Sequence, residues 1–304
     1  MKPSIKISKL TRQHAFLTVP LAVLAAFLVI AQPAGATTLY WSGNGSTKGN
    51  AGTWDTTLAR WGTVSTGPFS TVWNNANNDT AYFDTAAGTY SVTLGANVTL
   101  GGLTQTVGAS GVGILAGTGT NMTLGVTGNN PFSVAASGTV GRFLSIYPAI
   151  LGASGGNLVL TGPPTSSAGQ ITLYGANTFS GGTSFSGNSS GAVTLVLGNQ
   201  LALQNSTLTL GTACKGLVFN SSVSANAFTF GGLAAASAGA GYDFALQNNA
   251  GTPAAIALSV GNNNATTTYA GVMSGAGSLV KIGTGNLTLS GNNTYSGNTT
   301  ISAG

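Results

Sequence analysis

Residues 169–186 read GQITLYGANTFSGGTSFS, and residues 285–302 read GNLTLSGNNTYSGNTTIS. The two stretches align without gaps on the frame G-x-[apolar]-T-L-x-G-x-N-T-[aromatic]-S-G-x-T-x-[apolar]-S. Each copy predicts a strand, a Gly/Asn turn, a short aromatic strand, a Gly turn and another strand, with Phe179 and Tyr295 in the same slot. Such a unit cannot bury its own apolar face, whereas stacked copies can, so the repeat predicts a solenoid.

Short strand-like runs continue outward from both copies, bounded by Gly, Asn or Ser. They include residues 90–94 (YSVTL), 157–160 (NLVL), 193–197 (VTLVL) and 207–210 (TLTL). Two all-β architectures fit this pattern: a parallel β-helix with coils of ~20–30 residues, and a sandwich or barrel of hairpins. We favour the β-helix because Gly and Asn recur at the corners and charge is scarce along the whole length.

The composition is that of a folded chain rather than a disordered one. Of the 304 residues only 4% are charged, against roughly 25% in ordinary soluble domains. The apolar fraction is 42%, which is enough to offset the entropy of ordering the chain.

The net charge of +5 comes from the N-terminus. Four of the nine basic residues, Lys2, Lys6, Lys9 and Arg12, lie in the first 12 positions. The remaining five basic and four acidic residues give the rest of the chain a net charge of about +1. No basic patch remains, so we do not expect nucleic acid as a partner.

The basic start leads into an apolar run, Ala15 to Ile30, and then into the small-residue stretch QPAGA at residues 32–36. This order predicts a secretory signal peptide over residues 1–36, read by the export machinery and cleaved after Ala36. The alternative is an uncleaved membrane anchor. The apolar run of 16 residues is shorter than the ~20 that span a bilayer, which favours cleavage.

A Trp-rich segment follows at residues 37–86, before the solenoid predicted over residues 87–304. We expect this segment to cover the open N-terminal end of the solenoid. Its four Trp residues, together with Tyr40 and Tyr82, have two interpretations: a packed cap or a platform on which sugars stack. The residues of the candidate carbohydrate contact are Trp41, Trp54, Trp61 and Trp73.

Residues for catalysis are scarce, because the chain beyond Ala36 contains no His and no Glu. This excludes Ser-His-Asp triads, Cys-His dyads and zinc sites built on His. The close carboxylates, Asp79 and Asp84, are five residues apart and would point to opposite faces of one regular strand. Cys214 has no basic partner and is predicted to be a small buried hydrophobe. We therefore predict no catalytic residue and no cofactor.

Oxygen ligands for a calcium ion cluster in the same region, although no known calcium-loop order is present. They are Asn74, Asn75, Asn77, Asn78, Asp79 and Asp84.

Residues 269–304, YAGVMSGAGSLVKIGTGNLTLSGNNTYSGNTTISAG, resemble the autotransporter-associated β-strand repeat, also called the passenger-associated transport repeat. Residues 169–186 resemble a degraded copy. The resemblance implies a right-handed parallel β-helix of pectin-lyase-like architecture without its active site, in a passenger region outside a Gram-negative cell. Since the chain stops inside the repeat, we expect it to belong to a longer protein whose outer-membrane anchor lies outside this chain.

The function predicted from these features is a non-catalytic, structural or adhesive passenger segment, displayed at or released from the cell surface. Its partner would be an extracellular surface or a polysaccharide. The alternative is a carbohydrate-binding module that uses the Trp-rich segment. A β-helix enzyme that degrades polysaccharide is a third hypothesis, because such enzymes use paired carboxylates.

Overall fold

The computed structural model describes residues 36–84, 89–105, 111–125, 129–134, 142–152, 156–162, 169–186 and 193–304, and every regular element within these ranges is a β-strand. The N-terminal strands are β1 (Thr38–Trp41), β2 (Gly52–Trp54), β3 (Ala59–Gly62), β4 (Thr71–Val72) and β5 (Thr80–Phe83). The next are β6 (Thr89–Leu94), β7 (Val98–Leu100), β8 (Gly102–Gln105), β9 (Gly111–Leu115), β10 (Met122–Leu124), β11 (Asn129–Val134), β12 (Arg142–Ile146) and β13 (Ile150–Gly152).

The second half of the chain continues in the same way. Its strands are β14 (Asn157–Thr161), β15 (Gly169–Leu173), β16 (Thr183–Ser186), β17 (Val193–Leu197), β18 (Leu203–Leu210), β19 (Cys214–Phe219) and β20 (Ala227–Ala235). The last are β21 (Phe244–Ala245), β22 (Ala257–Val260), β23 (Thr267–Tyr269), β24 (Met273–Ser274), β25 (Ser278–Lys281), β26 (Leu287–Leu289) and β27 (Thr299–Ile301). No helix in the described part of the chain is long and apolar enough to cross a membrane.

The strands form long parallel sheets because each coil pairs with the coil before it and the coil after it. One sheet has 15 strands and runs in the order β27-β25-β22-β20-β18-β16-β14-β11-β8-β5-β1-β3-β4, with β23 and β26 attached beside it. A second sheet has seven strands, β19-β17-β15-β12-β9-β6-β2, and smaller sheets have three and two. Among the strand pairs that the described residues form, only β1–β3 and β3–β4 are antiparallel.

The repeat at residues 169–186 decides between the two predicted architectures. Its first strand, β15, lies between β12 and β17, and its last, β16, lies between β14 and β18, and all four pairings are parallel. The two strands of one repeat therefore do not pair with each other as a hairpin would. The predicted parallel β-helix is confirmed, and the alternative of a sandwich or barrel of hairpins is wrong.

The core is a set of apolar columns that run through successive coils. In the seven-stranded sheet, one inward column is formed by side chains that are 0–7% exposed: Val112, Leu144, Ile171, Leu195 and Leu217. Each such side chain contributes about 1.5–3 kcal/mol by leaving water. Because side chains alternate between the two faces of a strand, the same strands turn Thr, Ser and Gly outward.

Asn177, in the first repeat copy, links three successive coils. Its Oδ1 accepts the backbone N–H of Ile150 at 2.8 Å, 27 residues earlier, and its Nδ2 donates to the carbonyl of Ala202 at 2.9 Å, 25 residues later. The N–H of Thr178 donates to the carbonyl of Ile150 at 3.0 Å. The Asn-Thr pair thus satisfies both backbone groups of one residue in the preceding coil. We call this arrangement the Asn-Thr clamp.

The second repeat copy has the same clamp with a shorter spacing. Asn293 accepts the N–H of Met273 at 2.8 Å, 20 residues earlier, and the N–H of Thr294 donates to the carbonyl of Met273 at 2.8 Å. The Asn and Thr shared by the two copies therefore act between coils, which a pattern of local turns alone does not require.

The glycine five positions before the end of each frame is explained by close approach to the preceding coil. A Cβ atom on Gly181 would lie 2.0 Å from the carbonyl oxygen of Gly156, and one on Gly297 would lie 2.2 Å from that of Gly277. Both distances are far below van der Waals contact. No other residue type fits there without shifting the coils apart.

Replacing the clamp tests how much this contact stabilises the solenoid. Asn177→Ala leaves the Ile150 N–H and the Ala202 carbonyl without their partner at a position that is 2% exposed. We expect the free energy of unfolding to fall by about 1–3 kcal/mol. Asn292→Ala is the matched control at an exposed asparagine of the other copy, with an expected change within about 0.5 kcal/mol. Urea denaturation followed by circular dichroism measures both, and equal losses would contradict the clamp.

Candidate functional site

The four Trp residues of the N-terminal segment form one packed cluster. Each is 0–1% exposed, and the ring centroids of neighbouring indoles are 4.8–5.1 Å apart. The ring of Phe83 lies about 6 Å from those of Trp41, Trp54 and Trp61. In this conformation no indole presents an open face to a sugar, so carbohydrate contact by Trp41, Trp54, Trp61 and Trp73 stays a prediction that requires the cluster to open.

Two of these indoles also hold backbone carbonyls in place. The Nε1 of Trp41 donates to the carbonyl of Asn50 at 2.9 Å, and the Nε1 of Trp73 donates to the carbonyl of Thr99 at 3.1 Å. Each buried indole ring, with the hydrogen bond from its Nε1, anchors a loop of the N-terminal segment to the first coils.

Tyr40 and Tyr82, the other aromatic residues of the predicted platform, lie outside this cluster. They are register partners on β1 and β5, they are half-buried, and their ring centroids are 4.8 Å apart with an interplanar angle of 60°. They form a separate outward pair.

The two carboxylates that could have formed an acid–base pair lie at opposite ends of β5. Asp79 precedes the strand and Asp84 follows it, so five residues of extended chain separate them by roughly 16 Å. Glycoside hydrolases hold their two carboxyl groups about 5–9.5 Å apart. These two residues therefore cannot work as one such pair.

Each of these carboxylates already has a protein partner. Asp84 Oδ2 lies 2.9 Å from Lys48 Nζ, the one ion pair within the described ranges. Asp79, which is 1% exposed, accepts hydrogen bonds from the backbone N–H and the hydroxyl of Thr37 at 2.8 and 2.9 Å. Thr37 is the first residue after the predicted cleavage site.

Three of the four asparagines of the candidate calcium cluster also make hydrogen bonds, whereas the Oδ1 of Asn78 is buried with no hydrogen-bond partner among the described residues. Asn75 accepts from the N–H of Thr99 at 2.8 Å, Asn74 accepts from the N–H of Ala76 at 3.0 Å, and Asn77 donates to Asp79 at 3.3 Å. No group of three His, Cys, Asp or Glu side chains suited to a metal occurs in the described part of the chain.

The structure adds an aromatic pair that the sequence analysis missed. Tyr147 and Tyr174 follow β12 and β15 directly, and their rings stack with centroids 4.4 Å apart and planes 8° apart. Tyr147 is 44% exposed, and a Cβ on Gly198 in the next coil would meet the ring of Tyr174 at 2.3 Å. The two tyrosines are 27 residues apart in sequence. The sequence signal that could have identified the pair is a Tyr directly after an apolar strand in each of two consecutive coils.

The two rings come from neighbouring coils, because β12 and β15 are parallel partners in the seven-stranded sheet. Partial burial, followed by the neighbouring Tyr147, raises the pKa of the Tyr174 phenol. We call Tyr147 and Tyr174 the tyrosine stack.

Cys214 is buried and free, as its surroundings in the sequence predicted. Burial raises the pKa of its thiol to about 12, against an ordinary value near 9, while a backbone hydrogen bond acts weakly in the other direction. At pH 8 the thiolate is therefore rarer in the folded chain than in the unfolded chain.

This difference predicts slow labelling of the native protein. At pH 8 a disulfide reagent should modify Cys214 on the order of a thousandfold more slowly in buffer than in 8 M urea, because the thiolate is the reactive species. Absorbance of the released thiol measures both rates. Comparable rates would mean that the thiol is exposed in the native state.

Comparisons with known proteins find one repeat model and one relative that match this chain. The model of the passenger-associated-transport-repeat matches residues 165–187 and 279–304. Adhesin BmaC autotransporter of Brucella suis biovar 1 (strain 1330) is 35% identical over an alignment of 274 residues that covers 86% of this chain. The chain spans 7% of the length of this curated relative. No solved structure matches the chain.

The matched residues are those that form the clamps and the close-packed glycines, and they overlap both copies identified in the sequence. This chain therefore carries two copies of the passenger-associated-transport-repeat and is similar to an autotransporter adhesin over most of its length.

Proposed function

We propose that the chain is an exported, non-catalytic passenger segment that holds an adhesive surface outside the cell. The observation that carries the proposal is that polar side chains form hydrogen bonds between coils. The side chains of Asn177, Asn293 and Asp79 accept hydrogen bonds from the backbone of other coils and do not converge on a common cleft. Such a chain supports a rigid rod, and its similarity to an autotransporter adhesin over 86% of its length supports adhesion as the role of that rod.

Within this rod, we assign residues 37–86 to an N-terminal cap. Support comes from β3 and β4, which extend the edge of the 15-stranded sheet beyond β1 in antiparallel pairing. The edge strand β4 has only two residues, and short edge strands limit pairing with other chains.

The tyrosine stack is the surface that we assign to adhesion. Aromatic rings supply contact area at a low cost in side-chain entropy. The outward residues of the neighbouring strands, such as Ser145 and Thr194, are hydroxyl-bearing and half-buried.

Adhesion assays with surface variants test the proposal. Beads coated with the exported chain should adhere to an epithelial monolayer or to insoluble cellulose, and the double variant Tyr147→Ser/Tyr174→Ser should reduce adhesion by about tenfold. Tyr40→Ser/Tyr82→Ser is the matched control, because it removes an outward tyrosine pair from the other sheet. No adhesion above that of uncoated beads, or equal losses from both double variants, would contradict the proposal.

The same assay addresses the second candidate, a carbohydrate-binding module at the N-terminal segment. An open groove beside the Trp cluster favours it, and the residues that line this groove are Thr56, Val72, Trp73, Asn74 and Asn75. In that case Val72→Lys would abolish cellulose binding, whereas loss of the tyrosine stack would leave it unchanged.

A further inference from the structure

The carboxylate of Asp79 is positioned on the backbone nitrogen of Thr37. Oδ1 accepts that N–H at 2.8 Å and the Thr37 hydroxyl at 2.9 Å, and Oδ2 accepts from Asn77 Nδ2 at 3.3 Å. Asp79 is 1% exposed, although Thr37 itself is exposed. One buried carboxylate thus takes two of its three hydrogen bonds from a single exposed residue.

Backbone pairing fixes this geometry from both sides. The N–H of Thr80 donates to the carbonyl of Thr37 at 2.8 Å, and Thr38 is the register partner of Thr80 in the parallel pair β1–β5. On the other side, the N–H of Gly101 donates to the carbonyl of Asp79 at 2.9 Å. The nitrogen of Thr37 is therefore held at Asp79 by two strands and the next coil.

The charge of Asp79 has no cationic partner among the residues that the structure describes. The ion pair in these ranges joins Lys48 to Asp84 at the other end of β5. Neutral donors alone compensate a buried carboxylate poorly, since desolvating an unpaired charge is costly. The site would be completed by a positive charge on the atom that already donates to it.

The sequence supplies such a charge. The small-residue stretch at residues 34–36 predicts cleavage between Ala36 and Thr37. Hydrolysis by an exported endopeptidase adds water across this amide, so Ala36 leaves as a carboxylate and Thr37 keeps the nitrogen as an α-amine. An α-amino group has a pKa of about 8, so it is mostly protonated at neutral pH.

We propose that cleavage after Ala36 creates the cation that Asp79 holds, so that removal of the leader completes the N-terminal end of the solenoid. The N–H···O bond at 2.8 Å becomes a charge-assisted bond between Thr37 and Asp79 without any movement of the strands. Before cleavage the same nitrogen is a neutral amide, and the N-terminal end is less stable. The inference does not depend on what the passenger adheres to.

A first experiment maps the new N-terminus. The full chain is expressed with its leader in a Gram-negative host, and the mass of the exported protein is measured. We expect a chain that begins at Thr37. A mature chain that begins elsewhere overturns the proposal.

A second experiment measures the ion pair in a thermodynamic cycle. Mature chains that begin at Thr37 or at Ala36 are prepared, each with and without Asp79→Asn, which keeps an oxygen acceptor but removes the charge. The chain that begins at Thr37 should melt roughly 2–4 °C higher than the chain that begins at Ala36, and Asp79→Asn should remove this difference.

Asp84→Asn is the matched control in the same cycle, because it removes a carboxylate paired with Lys48 and should leave the difference intact. A difference that persists with Asp79→Asn, or that is missing with Asp79 present, overturns the proposal.

Discussion

The structure depends on the parallel backbone ladder, in which every coil is completed only by its neighbours. A strand such as β15 has no partner within its own repeat, so both of its edges must be satisfied by coils on either side. This requirement dictates where the rest of the sequence can vary. The coil spacing changes from 27 residues at Asn177 to 20 residues at Asn293, but the Asn-Thr clamp is present at both positions.

The same constraint explains the composition. A corner of a solenoid leaves backbone N–H and C=O groups without strand partners, and buried groups of this kind need a hydrogen bond. Asn carries one donor group and one acceptor on a short side chain, so it can replace a peptide group of the adjacent coil, as Asn177 does for Ile150 and Ala202. Charged side chains would have to be desolvated at these corners, and only 4% of the residues are charged.

The fold could be predicted from the sequence because the repeat carries information about contacts between coils. Two gapless copies predict stacking, which favours a parallel β-helix, and the parallel pairings of β15 and β16 exclude the alternative of hairpins. The N-terminal segment could not be predicted as well, because its contacts join residues that share no period. Nothing local indicates whether Trp54 and Trp61 face solvent or each other, and the bond between Thr37 and Asp79 spans 42 residues. The tyrosine stack was missed for a related reason, since it depends on the register of two coils rather than on either strand.

The most direct test of coil-on-coil stacking is a cross-link between register partners in the repeat. Thr268 on β23 and Thr288 on β26 are partners 20 residues apart, and both are exposed. Parallel neighbours lie about 4.8 Å apart, within the Cα distance that a disulfide accepts. In a Cys214→Ser background, Thr268→Cys/Thr288→Cys should oxidise to a disulfide within one chain, whereas Thr267→Cys/Thr288→Cys, with side chains on opposite faces, should not. Failure of the first pair to close, or equal closure of both pairs, would contradict a parallel solenoid in this register.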